Sequence, residues 1–423
     1  MFKKIVNKNS ILFITLADLL ILGINSLFVV PFLLKILPKE VVNEFSLFLT
    51  LSSIFIVIFQ FGLISSFSRF FFSEDNLKVE EIDVIKLQLC LALIGIVPVI
   101  LLNFFLQFSF KIYLASAISS ILSFMVSIRL VKLRIDNKIY SHYLLQISFI
   151  LAYIVLLFTV TFFLRINLNI LLLSNLICSL LFTIIILSGT AGFFKRPIFN
   201  KLYIKESISL YVLNVCHVVI IRSLPLFIQQ KVLNKIEFSQ INFALIYSGI
   251  SFILVSSFNK FILNRIFLNN SEGSDNKIKY YFLLFHIVTS ISFGGIFYFY
   301  FHFFFPSSFS KIFYYFILFF VSNFIWNLSL IENLNIQKEY KNYVLKNIYL
   351  LLILLFAGAI AYMNFYEFSI DYIFDVQILL SVFFFISTYI KGRNVNESIN
   401  SIASTFIIFI MALIIFMYYV KFI

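Results

Sequence analysis

Apolar runs of about twenty residues, separated by short polar breaks, recur from one end of the chain to the other. A helix needs ~20 such residues to cross ~30 Å of hydrocarbon. Runs of that length occupy 11–34, 45–67, 85–106, 112–131, 143–164, 170–189, 207–230, 238–263, 280–304, 311–333, 347–366 and 371–390. They predict twelve spanning helices. A further run over 399–420 predicts an additional C-terminal one, which by parity puts the two termini on opposite sides. The connections are too short to build a soluble domain of any size, and that argues for transport over chemistry, because an enzyme working at the outer face needs a long external loop to hold its site.

Composition supports the same reading. Of 423 residues, 62% are hydrophobic and 12% charged, about half the ~25% charge of a soluble domain. A water-soluble protein is excluded, and the chain reads as an all-α polytopic membrane protein. Cys90, Cys178 and Cys216 all lie inside apolar runs, as packing residues do, and suggest neither disulfides nor a metal site. No phosphate-cradling glycine loop or paired nucleophile and base is visible, so no cofactor, metal or enzymatic activity is expected. Lys3, Lys4 and Lys8 precede the first run without a small-residue cleavage site, which predicts a retained first helix. The 59 Phe are expected to be lipid-facing bulk.

The formal charge of +13 would raise the question of nucleic acid on a soluble chain. Here its distribution has a blander cause, and no nucleic-acid partner is expected. With the N-terminus placed in the cytoplasm, 23 of the 32 Lys and Arg fall on the cytoplasmic side and eight on the other, with Arg222 the remaining one. Multi-span proteins concentrate cations in cytoplasmic loops, so the asymmetry sets the orientation. The acidic cluster Glu74, Asp75, Glu80, Glu81 and Asp83 reads as a solvated loop face.

Four landmarks repeat in the same order across the two halves of the chain. Pro31 matches Pro225, and Glu44-Phe45-Ser46 matches Glu237-Phe238-Ser239. Ser65-Ser66-Phe67-Ser68-Arg69-Phe70 matches Ser256-Ser257-Phe258-Asn259-Lys260-Phe261, and Lys138-x-Tyr140-x-x-Tyr143 matches Lys338-x-Tyr340-x-x-Tyr343. Collinear matches of this kind mark a duplicated bundle. They predict a six-helix bundle over 1–195 and a second over 200–391, meeting around a central cavity, with 399–420 as the extra helix.

The stretch from Glu44-Phe45-Ser46-Leu47 through Phe61-Gly62-Leu63-Ile64-Ser65-Ser66 to Arg69, together with Arg134 to Tyr143, resembles the signature of bacterial polysaccharide exporters. With the spacing of the first ten helices, the chain is similar, over residues 1 to about 345, to the Wzx-type O-antigen flippases of the multidrug, oligosaccharidyl-lipid and polysaccharide exporter superfamily. The resemblance implies a flippase of the bacterial inner membrane. Its cargo would be an undecaprenyl-pyrophosphate-linked oligosaccharide for O-antigen or capsule, moved by alternating access and coupled to H+ or Na+. A polysaccharide polymerase would be its downstream partner. Relatives carry an acidic-basic pair in the seventh helix; here Ile221 precedes Arg222, so only the arginine is matched. A membrane polymerase or ligase, and a multidrug or metabolite antiporter, are the competing readings.

Several polar residues inside the runs are candidates for transport. On the seventh helix, Ser207, Asn214, His217, Arg222, Pro225 and Gln229 share one face at 100° per residue. Arg222 suits a pyrophosphate because its planar donors bind two oxygens at once; it could equally pair with a carboxylate to lock helices. Asp18, deep in the first helix and on one stripe with Asn25, is a candidate to carry the coupling ion, or a static partner for a cation. Pro31 and Pro225 mark bends where the first and seventh helices would gate. Arg69 and Lys260 form a matched pair at the inner ends of the second and eighth helices, either a rim that draws in a diphosphate or residues snorkelling to headgroups. Arg129 and Lys132 carry the same two readings. Asn323, Trp326, Asn327 and Ser329 make the tenth helix polar, for sugar stacking or for helix-to-helix hydrogen bonding.

Overall fold

The computed structural model describes residues 37–64, 66–67, 80–106, 109–136, 138–163, 167–188, 201–222, 240–241, 244–245, 247–249, 272–306, 309–329, 342–366 and 370–392. Among these there are ten long helices and no strand. They are α1 (Lys39–Gln60), α2 (Glu81–Leu106), α3 (Phe110–Ile135), α4 (Ile139–Phe163), α5 (Leu168–Ser188), α6 (Lys201–Arg222), α7 (Glu272–Phe304), α8 (Phe309–Leu328), α9 (Asn342–Tyr366) and α10 (Ile370–Gly392). Each coincides with a run predicted to span. The runs at 11–34 and 399–420 lie outside the described residues, and that at 238–263 is described only in part. Seven helices, α1, α3, α4, α5, α7, α8 and α9, are long and apolar enough to cross a membrane, and α10 carries a shorter apolar stretch, Phe374–Thr388. The chain is an all-α, multi-pass membrane protein.

The described residues fall into two compact units, one holding 37–222 and the other 240–392. α6 therefore belongs with the first unit, although its residues follow the 195/200 boundary suggested by the repeat. Within the first unit α3 is the central element, packed on α1, α2, α4 and α5, while α6 packs on α1. In the second, α10 packs on α8 and α9, and α7 on α8.

Cross-helix pairs give the direction of each helix without reference to a membrane. Ser116 of α3 faces Phe48 of α1, and four residues further on Ser120 faces Ser52, so α1 and α3 run parallel. Between α2 and α3 the order inverts, with Glu81 on Arg129 but Val99 on Tyr113. In the second unit the ring pairs Tyr315 with Phe374 and Trp326 with Phe384 make α8 and α10 parallel. His286 on Phe324 and Phe297 on Phe316 make α7 antiparallel to α8. Neighbours in sequence are thus opposed and next-neighbours aligned, as successive crossings require. This arrangement brings Lys86, Arg129, Lys132, Arg134, Lys138, Lys201 and Lys205 to one end of the first unit, with Lys39 and Lys111 at the other.

Small residues let the parallel pair α1 and α3 approach closely. The Ser116 and Ser120 hydroxyls lie 3.2 and 2.9 Å from the Phe48 and Ser52 carbonyls. Such bonds contribute about 0.6 kcal/mol each in membrane helices, where lipid offers no hydrophobic drive and close packing carries association. Ser120→Ala is accordingly expected to lower the unfolding midpoint of the detergent-purified protein only slightly. Ser120→Leu overfills the seam and should cost about 1–3 kcal/mol.

Phenylalanine does more than coat the outside. Of the largest fully buried side chains, nine are Phe48, Phe55, Phe59, Phe124, Phe297, Phe301, Phe316, Phe319 and Phe374. They interlock edge to face and stacked, as Phe55 does with Tyr113 and Phe319 with Phe374. The expectation that Phe is lipid-facing bulk is corrected: flat rings fill the space between helices that cannot exploit water exclusion to hold together. Exposed Phe163, Phe299 and Phe303 keep the lipid-facing role.

Candidate functional site

The stretch Phe61-Gly62-Leu63 is a break in a helix. α1 ends at Gln60; Phe61 and Gly62 then adopt left-handed conformations (φ 45° and 70°), and the chain resumes helical geometry at Leu63. Glycine takes that conformation freely, whereas Phe61 is strained in it. α6 lies directly against the break. A Cβ on Gly62 would collide with the Ser207 carbonyl oxygen and sit 2.7 Å from the Tyr211 amide nitrogen, so no other residue admits this approach. Around it, the Tyr203 hydroxyl donates to the Leu63 carbonyl (2.8 Å), the Ser207 and Ser66 hydroxyls meet at 2.9 Å, and Phe61 stacks on Tyr211 (5.0 Å between centroids). On the other side, the fully buried Gln88 amide donates to the Phe59 carbonyl, one of those left over where α1 stops.

At the cation-rich end of the same unit lies an ion pair. Arg129 of α3 donates through Nη1 to Glu81 Oε2 at 2.8 Å, with the Arg129 side chain 30% exposed and that of Glu81 only 6%. Glu81 Oε1 is buried and has no hydrogen-bond partner among the described residues. This corrects one expectation. Glu81 and Asp83 are buried, not part of a solvated loop face, and Arg129 is paired with a carboxylate. Removing Arg129 would strand the buried Glu81 charge, whereas removing Glu81 would leave a guanidinium that reaches the surface. The signal was present in the sequence: Glu81 shares a helical face with Ile85, Gln88 and Ala92, all buried.

Most of the residues chosen from the sequence cannot be placed in this geometry. Asp18, Asn25, Pro31, Arg69, Pro225 and Lys260 lie outside the described residues. His217 and Arg222 are on α6, Arg222 as the last of its described residues, with no side-chain placement to describe. Asn214 is half-buried on the same helix. Ser207, expected on the polar face with them, is fully taken up by packing against the break.

In the second unit the polar residues of α8 serve packing. Trp326 is 1% exposed and stacks on Phe384 at 4.1 Å between centroids, so that ring face is closed to a sugar. Asn323 donates to Ser248 (3.2 Å), and Ser322 meets Ser381 of α10 at 2.8 Å. Of the four residues singled out on this run, Asn323 makes a hydrogen bond to another segment, whereas the Ser329 hydroxyl bonds the Trp326 carbonyl in its own turn. Asn327 is wholly buried with neither amide atom partnered among the described residues.

No protein-family model, curated protein or solved structure matches the chain.

Proposed function

We propose that this protein is a flippase that carries an undecaprenyl-pyrophosphate-linked oligosaccharide, destined for O-antigen or capsule, across the bacterial inner membrane. It would act by ion-coupled alternating access. The observation that carries the reading is the lodging of the Phe61-Gly62-Leu63-x-x-Ser66 break against α6. The residues that resemble the exporter signature thereby hold in place the helix that carries Arg222. An intramembrane arginine is costly, about 2.5–3.5 kcal/mol on insertion scales, and marks an interior or water-filled face. Its guanidinium suits a diphosphate. Transport is further supported over polymerisation or ligation by the short connections: α2 ends at Leu106 and α3 starts at Phe110, and α9 ends at Tyr366 with α10 starting at Ile370.

Deleting the gene should trap lipid-linked repeat units in the inner leaflet and remove surface polysaccharide. Repeat units that still reach the outer leaflet with no second exporter present would refute the reading. Arg222→Ala is expected to abolish export at normal protein levels, whereas Arg222→Lys, which keeps the charge without the planar donors, should retain a fraction of it. Undiminished surface polysaccharide in Arg222→Ala would remove Arg222 from the substrate path.

A further inference from the structure

We propose that the motif Lys138-x-Tyr140-x-x-Tyr143 is an anchor for an anionic phospholipid, with Lys138 on the phosphate and Tyr140 beside it in the headgroup layer. Each motif residue has its own place at the start of α4. α3 ends at Ile135, and a tight turn, closed by the Lys138 amide on the Leu133 carbonyl (2.8 Å), leads directly into α4. Lys138 is exposed on that turn. Tyr140 is 77% exposed and is the first residue of the apolar span Tyr140–Val160. It stands where hydrocarbon gives way to headgroups, the layer that tyrosine favours because its ring is apolar and its hydroxyl polar. Tyr143 is buried, with its ring edge-on to His142, whose Nδ1 lies 2.8 Å from the Leu130 carbonyl of α3. Residues three apart are neighbours on a helix surface, so one exposed tyrosine beside one buried tyrosine marks the line where the bundle meets its surroundings.

Lipid is the occupant of this face. Tyr140 shares a stripe with Leu144, Leu151, Val155 and Phe158, which at ~100° per residue lie within an arc of about 60°, and all five are exposed. Below the tyrosine the stripe is apolar, and it belongs to the least enclosed of the seven spans, so acyl chains cover it. Charge selects the headgroup. Over 132–138 the cations Lys132, Arg134 and Lys138 outnumber Asp136. A lysine at the end of a span lays its stem along apolar surface and carries its amine out to the phosphates, where a leaflet rich in anionic lipid attracts it. The second copy, Lys338-x-Tyr340-x-x-Tyr343, runs into the start of α9 in the same way, although Lys338 and Tyr340 lie outside the described residues. Repetition of the motif thus has a physical cause that is separate from cargo, and the inference does not rest on the export reading.

The test uses the full-length protein in vesicles and its own fluorescence. The chain has one tryptophan, Trp326, and it is fully buried. Trp326→Phe combined with Tyr140→Trp therefore places a single reporter at the anchor. Tyr140→Trp in the chain that keeps Trp326 gives the same readout if the first combination folds poorly, because the enclosed indole is shielded from lipid. The protein is reconstituted in equal parts of phosphatidylglycerol and phosphatidylcholine, with one lipid or the other brominated near the top of its acyl chains, since bromine quenches an indole on contact. Apparent affinity for brominated phosphatidylglycerol should be about fivefold that for brominated phosphatidylcholine, the preference that one lysine near an anionic surface supplies. Lys138→Gln should abolish this preference, and Lys111→Gln, at the opposite end of the unit, should preserve it. Bromine near the end of the chains should quench less than bromine near the top. The proposal is overturned if the two lipids quench equally, if Lys138→Gln keeps the preference, if the deeper bromine quenches more, or if aqueous iodide quenches the reporter and neither lipid does.

Discussion

Gly62→Ala is expected to be the most damaging single-methyl change in the first unit. The added carbon meets backbone on both sides, the Ser207 carbonyl and the Tyr211 amide, and backbone of a long helix cannot swing aside as a side-chain tip would. The left-handed conformation adds about 1–2 kcal/mol for a residue with a Cβ, and the overlap adds about 1–3 kcal/mol. α6 must then back away from α1, which breaks the Tyr203 bond to Leu63 and unstacks Phe61 from Tyr211. The unfolding midpoint of the purified protein should drop by an amount far larger than that for Gly358→Ala, where an added Cβ meets nothing within 4 Å. Equal midpoints for the two variants would show that the close approach is not what holds α6.

The second large effect concerns Trp326. Truncation to alanine empties a fully enclosed site between α8 and α10, and large-to-small changes of that kind cost about 3–5 kcal/mol. Trp326→Phe keeps a flat ring against Phe384 and near Tyr349, and should retain most of the stability. If Trp326 is a packing residue, export in both variants follows the amount of folded protein. A Trp326→Phe variant that is fully folded but inactive would instead make the indole part of a binding surface.

The ten described helices were legible because a run of twenty apolar residues has one stable form in lipid, and the charged breaks mark its ends. Which face of each helix is inside was not legible. In α5, Leu171 and Leu172 are buried while Leu173, Leu180 and Leu181 are exposed; in α2, Val99 is buried while Val97 and Ile100 are exposed. Lipid and protein interior are equally apolar, so the periodicity that betrays the core of a soluble helix is flattened. Polar residues are the better guide, and Ser116, Ser120, Gln88 and Ser322 all point inward. Glu81 was misread because it stands just ahead of an apolar run, where the eye assigns a charge to the loop. Its partner is 48 residues away on α3, a pairing that only the antiparallel register of α2 and α3 creates. Trp326 had two readings because tryptophan serves both sugar stacking and dense packing, and only the position of Phe384 decides between them.

The lodging of α6 against the break also sets an order of events during synthesis. The Ser66 and Ser207 hydroxyls that meet there are separated by 141 residues of chain. When α1 has been inserted, Gly62 has no carbonyl to rest on and the Leu63 carbonyl no phenol, and this persists while α2, α3, α4 and α5 are being made. Closing a contact of such long range is slow compared with pairing neighbouring helices. The nascent bundle therefore waits with an open seam beside its most constrained glycine, and a ribosome stalled between α5 and α6 leaves an intermediate with that seam uncovered. Such a species is the one that an insertase or a quality-control protease would meet.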